Sequence, residues 1–175
     1  MVLSLFRKSH ATEHVYAVYA AIVAQSRQPH FYADWGVPDT VTGRFDMISL
    51  HLALLFRRLK GEGAAARRFS QAVFDLFFKD MDQSLREMGA GDLAVPKKIQ
   101  KMGNLFYGML TKLDEALATG DVAEIEAVLV RNVFAGAAPT GALPLAEYLA
   151  NQSRRLASES AEALMGGRLG TGAAA

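Results

Sequence analysis

Apolar residues recur at three- and four-residue spacing along almost the whole chain, and nowhere do they keep up the two-residue alternation of a strand. Stripes of this kind can be buried only if the backbone is wound into helices, so the expected fold class is all-α: a single-domain bundle of about six helices. Proline and glycine supply the punctuation. The first helix is expected over His10–Gln28, with Val15, Tyr19, Ile22 and Val23 on one face and Pro29 as its stop. Residues 29–43, with Trp35, Gly36 and Pro38, read as a linker or a short helical turn. Thr42 then caps a second helix, Gly43–Lys60, whose core stripe is Phe45, Ile48, Leu52, Leu55, Phe56 and Leu59.

A third helix is expected over Ala64–Met88, with the stripe Phe69, Val73, Leu76 and Phe77 continued by Asp80, and Gly89 and Gly91 as its stop. Asp92 reads as the cap of a fourth helix, Leu93–Ala118, with Pro96 in its first turn and the stripe Ile99, Met102, Phe106, Leu110, Leu113 and Leu117. Asp121 caps a fifth helix to Phe134, Gly136–Pro144 is a loop, and a sixth helix covers Leu145–Leu164. The domain is read as residues 1–165, followed by a Gly/Ala-rich tail, 166–175, expected to be disordered.

Three of these helices are more apolar than one buried face requires. The third adds Phe74, Phe78, Met81, Leu85 and Met88 beside its core stripe, the fourth adds Leu105 and Met109, and the second adds Met47, Leu50 and Leu54. Either these helices form the buried centre of the domain, or part of the surplus stays open as a groove for an apolar partner. The candidate groove is Leu50, Leu54, Phe74, Phe78, Met81, Leu105 and Met109, rich in the adaptable Met and aromatic side chains that suit a chaperone. Gly103 and Gly108, costly inside a helix, are expected to mark close helix–helix approach.

Composition narrows the function classes. With 19 Lys plus Arg against 18 Asp plus Glu, the chain has no long-range field to gather phosphate, and DNA is not an expected partner. The absence of cysteine excludes disulfides, thiolate metal sites and a cysteine nucleophile. Hydrophobic residues make up 51 %, yet the longest apolar run, Val15–Ala24, is too short to span a bilayer. Residues 1–10 run apolar and then basic, the reverse of a secretory signal, so a bacterial cytoplasmic protein is expected.

No catalytic motif in the chain is complete. His10-Ala-Thr-Glu13-His14 has the H-x-x-E-H spacing of a metalloprotease, but no third ligand is evident, so no metal and no cofactor is expected. Asp80 and Asp82, two residues apart on a helix, diverge and are better read as ion-pair partners of Lys79 or Arg86. His51 reads as a hydrogen-bonded core or rim histidine. No G-x-S-x-G elbow and no phosphate loop occurs, so no catalytic residue is named and the protein is expected not to be an enzyme. Two basic clusters, Arg57 and Arg58 with Lys60, and Lys97, Lys98 and Lys101, read as solvated helix faces or as contacts to anionic lipid or ribosomal RNA.

Three stretches together resemble the ubiquinol–cytochrome c chaperone family. They are Gly36-Val-Pro-Asp39 with Gly43-Arg-Phe-Asp46 and its continuation through His51 to Lys60; the block Phe78-Lys-Asp80-Met-Asp82-Gln-Ser-Leu85-Arg86-Glu-Met-Gly89 with Gly91-Asp92 and Pro96; and Met102-Gly through Phe106-Tyr107-Gly108. The resemblance covers most of residues 14–150. It implies a non-enzymatic chaperone that holds newly made cytochrome b during assembly of respiratory complex III, at the inner face of the bacterial inner membrane. Mitochondrial relatives act with a small partner protein and near the ribosomal tunnel exit, and this chain resembles the bacterial branch. Peripheral membrane contact without a transmembrane span is the corresponding expectation, and a non-catalytic scaffold for another membrane-associated partner is the alternative.

Overall fold

Proline and glycine do set the helix boundaries, although not always at the expected residue. The computed structural model describes residues 2–137 and 139–169, with side chains from residue 12 onward. Its helices are α1 (Val2–Ser26), α2 (Pro29–Ala33), α3 (Val41–Leu59), α4 (Gly63–Glu87), α5 (Val95–Thr119), α6 (Val122–Asn132), α7 (Ala142–Ser158) and α8 (Ala161–Met165). Among the described residues there is no strand, as the periodicity required. Most of the expected tail, residues 170–175, lies outside the described residues.

The differences from expectation have local causes. Pro29 does not stop α1, which ends at Ser26; it opens α2, where a missing amide costs nothing because a first-turn N–H has no helical partner. The cap of α3 is Thr40 rather than Thr42: its hydroxyl accepts from the Gly43 amide at 3.1 Å. Asp92 does not cap α5, because Arg86 has taken its carboxylate at 2.5 Å and the helix starts later, at Val95. The expected sixth helix is two, split at Glu159, with the Ser160 hydroxyl capping α8 through the Ala163 amide. Asp121 caps α6 as expected, accepting from the Ala123 amide at 2.8 Å.

Contacts gather the chain into two compact units, one from the described parts of residues 1–21, 59–102 and 159–175, the other from residues 22–58 and 103–158. In the second unit α3 is the core helix. From Phe45 to Leu55 every side chain is buried, so the stripe Phe45, Ile48, Leu52 and Leu55 and the second stripe Met47, Leu50 and Leu54 are both interior. Phe106, Met109 and Leu113 of α5, Ile125 and Leu129 of α6, and Leu145 and Leu149 of α7 complete this core. Two glycines are required by close approach. A Cβ on Gly43 would stand 1.9 Å from the Pro38 carbonyl oxygen, and one on Gly141 would stand 1.9 Å from that of Trp35. Gly108, expected to mark a helix contact, meets nothing within 4 Å and faces open space.

Candidate functional site

The family-like motifs prove to be structural. In Gly36–Asp46, Val37 is buried, Gly43 lies against the Pro38 carbonyl, and Arg44 pairs with Asp39 at 2.7 Å, so the segment buckles the start of α3 to the chain before it. The Arg44 hydrogen bond holds the Asp39 carboxyl below the usual carboxylate range. In the second motif, Asp80 accepts from the Tyr19 hydroxyl at 2.6 Å and ties α4 to α1. Arg86 bridges Asp82 and Asp92 at 2.5 Å each across the turn after α4, as the sequence suggested for Asp82 but not for Asp80. Among the described residues no three His, Asp or Glu side chains gather as a metal site. Glu13 and His14 are exposed, and the side chain of His10 lies outside the described residues.

His51 is fully engaged. Its Nδ1 lies 2.7 Å from the Met47 carbonyl, which can only accept, so that nitrogen carries the proton. Nε2 therefore accepts from the Tyr148 hydroxyl at 2.8 Å, and Gln25 donates to the same oxygen at 3.1 Å. Burial pushes the imidazole down to about 4, so it is neutral at physiological pH. Phe31 and Tyr148 pack their rings against it, and Trp35 packs in turn on those two. One turn earlier Asp46 is buried without a charge partner, and desolvation pushes it up to about 7. Phe31, Asp46, His51 and Tyr148 are all buried and belong to the core.

An open apolar cleft lies in the first unit. With a volume of about 870 Å³, it runs between the middle of α1, at Thr12–Tyr16, one face of α4 and the last turn of α8. Its walls are Val15 and Tyr16 from α1, Ala65, Phe69, Ala72 and Leu76 from α4, and Met165 and Gly166 from α8; Arg68, Asp75, Lys79, Glu162 and His14 edge it. Helix pitch explains the arrangement. At about 100° per residue, Ala65, Phe69, Ala72 and Leu76 share one face of α4. The buried seam Ala66, Val73, Phe77, Met81 and Leu85 lies beside them. Phe74 and Phe78 lie on the far flank of that seam, half-buried, with ring centroids 4.6 Å apart. Phe69 and Leu76, read from sequence as core, are half-buried cleft walls. Docking of α8 against α4, fixed by fully buried Leu164, makes the third wall.

The sequence-named groove residues therefore separate. Leu50, Leu54, Met81 and Met109 are no more than 9 % exposed and cannot line an open groove, because their helices are covered on that side. Phe74 and Phe78 are half-buried, and Leu105 is exposed. The basic clusters separate as well. Arg57 binds the carboxylate and the main-chain oxygen of Asp114, and Arg58 donates to the Leu156 carbonyl at 3.2 Å, so both guanidinia serve the fold. Lys97, Lys98 and Lys101 are exposed. Tyr16, Ala65 and Met165 were missed by sequence reading. A 53 % exposed Tyr and a single Ala carry no stripe signal, and the α8 wall depends on a chain reversal.

Comparison with known proteins adds a family to this geometry. The family model described as ubiquinol-cytochrome C chaperone matches residues 33–171. The chain is 26 % identical over 150 residues to ubiquinol-cytochrome c reductase complex assembly factor 1 of Mus musculus, covering 85 % of this chain and 50 % of that protein. To its Xenopus laevis counterpart it is 24 % identical over 117 residues, covering 67 % and 58 %. The chain thus spans about half the length of the curated relatives it matches. The crystal structure of the Cbp3 homolog from Brucella abortus superposes with a TM-score of 0.86 at 43 % identity, covering 96 % of this chain and 94 % of that one.

Proposed function

Because the chain belongs to the ubiquinol-cytochrome C chaperone family, we propose that it is an assembly factor for ubiquinol–cytochrome c reductase that holds newly made cytochrome b without catalysing a reaction. Two named relatives are assembly factors of that complex, and the bacterial relative supports the bacterial branch. Work at the inner face of the bacterial inner membrane goes with this reading; no described helix is long and apolar enough to cross a membrane.

The observation that carries the reading at the level of a site is the cleft of α1, α4 and α8. A membrane protein presents apolar helices before it is assembled, and a cleft with apolar walls and a charged edge suits one such segment laid in as a helix. The stretch of α4 from Ala65 to Lys79 rises about 21 Å, roughly four turns of a bound helix. Each large apolar side chain of the client buried there contributes about 1.5–3 kcal/mol, so a few contacts give useful affinity without a reaction centre. Deletion of the gene tests the reading: haem spectra of the membranes should show depleted cytochrome b while other respiratory enzymes persist. Normal cytochrome b would remove it. Capture of a different membrane-associated partner with no cytochrome b would favour the scaffold alternative.

A further inference from the structure

The turn between α4 and α5 presents a second surface, in a different place from the cleft. Leu93 is 91 % exposed, the most exposed large hydrophobic residue among those described, and Met88, at the other end of the same turn, is 54 % exposed. The backbone that carries them is firmly held. The Ala90 amide donates to the Leu85 carbonyl at 3.0 Å and the Gly89 amide to that of Arg86 at 2.9 Å, the paired bonds of a glycine-terminated helix end. Gly89 adopts φ of 83°, which favours glycine. Arg86 clasps Asp82 and Asp92, the Ala94 amide donates to the Gly91 carbonyl at 2.8 Å, and Val95 and Leu85 are buried on either side. Leu93 is thus held out in water by an anchored turn.

Lys97, Lys98 and Lys101 follow within the first two turns of α5, spread over about 100° of its surface and all exposed. None has a carboxylate partner. Asp82 and Asp92 pair with Arg86, Glu87 accepts from Gln83 at 2.8 Å and keeps its charge, and residues 93–101 contain no acid at all. An exposed apolar wedge beside a group of lysines matches a surface whose outer layer is anionic and whose interior is hydrocarbon.

We propose that the turn of Met88–Ala94 and the first turns of α5 dock this protein on an anionic lipid bilayer, with Leu93 and Met88 entering the acyl boundary and the three lysines meeting headgroup phosphates. RNA offers the same phosphate charge but nothing that buries a leucine, and the apolar wedge decides between them. Peripheral docking of this kind needs no transmembrane helix and does not depend on which client fills the cleft.

The test is sedimentation of the full chain with phosphatidylcholine vesicles, pure or with about a third phosphatidylglycerol. Wild-type protein should sediment with the anionic vesicles only, and less as salt rises. Combined Lys97→Gln, Lys98→Gln and Lys101→Gln should lower partition roughly a hundredfold, about fivefold per lysine. Leu93→Ser should lower it about tenfold. Both variants should melt with the wild type, since every altered side chain is exposed. No sedimentation of wild-type protein with anionic vesicles overturns the proposal, as does unchanged partition of either variant. Normal vesicle binding by the lysine variant together with lost retention on ribosomal RNA would reassign the surface to RNA and overturn it too.

Discussion

Helices α3 and α4 look alike in sequence, each with two apolar stripes, and they end in opposite situations. Along α3 both stripes are covered, so Met47, Leu50 and Leu54 are as buried as Ile48, Leu52 and Leu55. Along α4 one seam is covered, while the face of Ala65, Phe69, Ala72 and Leu76 opens into a cleft. Surplus apolar surface in a sequence thus gives a quantity of sticky face and no address. What decides is the number of elements that pack around the helix, and α4 meets the cleft with only α1 and the five-residue α8.

The sharpest way to break this comparison is truncation in each helix. Leu50→Ala, in the covered helix, should cost about 2–5 kcal/mol through lost burial and a cavity. Tyr16→Ser, at the cleft, should stay within about ±0.5 kcal/mol. Chemical denaturation reads both, and equal costs would mean that the cleft is core.

The pH dependence of stability comes next, because the covered unit buries two titratable groups with opposite linkage. His51 falls from 6.5 to about 4, so the unfolded chain takes up the proton first, and stability is lost as pH drops from 6.5 toward 4. Asp46 rises from 3.8 to about 7, so the folded chain takes up the proton first, and stability is lost as pH rises from 4 toward 7. The two slopes, each at most about 1.4 kcal/mol per pH unit, oppose one another between pH 4 and 6.5. Wild-type melting temperature should be nearly flat there. Asp46→Asn should expose the His51 limb, a stability that climbs with pH, and a flat profile in that variant would contradict the buried neutral imidazole.

Matched tyrosine substitutions give a smaller contrast. Tyr148→Phe strands the buried Nε2 of His51 and should cost about 1–3 kcal/mol. Tyr19→Phe removes a bond to the half-buried Asp80, whose carboxylate can turn to solvent, and should cost less. Smallest, and opposite in sign, is Gly108→Ala: with open space around its Cβ it should stabilise α5 by about 1 kcal/mol and raise Tm by about 2–4 °C.

Much of the fold was legible because its signals are local. Asp121 capped its helix as read, and Gly89 stopped α4. Reading failed where a distant group competed. Asp92 has the composition of a cap, but Arg86, six residues earlier, holds it. Thr42 was read as the cap of α3, but Thr40 takes that place, its hydroxyl accepting from the Gly43 amide where Gly43 rests against Pro38. The candidate site was less legible for the same reason. The surplus on α4 was visible, but Met81 proved to be seam and Phe69 and Leu76 proved to be wall, a choice made by where α1 and α8 pack. The stretches that carried the family resemblance say little about the site, because Asp80, Arg86 and Gly43 fasten the fold and do not line the α1–α4–α8 cleft.

The central claim, that the α1–α4–α8 cleft receives the apolar client, is tested most directly by charging its walls. Tyr16 and Ala65 line the cleft and are exposed, so Tyr16→Asp combined with Ala65→Asp should leave the melting temperature close to wild type. The measurement is co-purification of cytochrome b from native membranes with this variant. The account predicts at least a tenfold loss of capture by a folded protein; a folded variant that captures cytochrome b as the wild type does would contradict it.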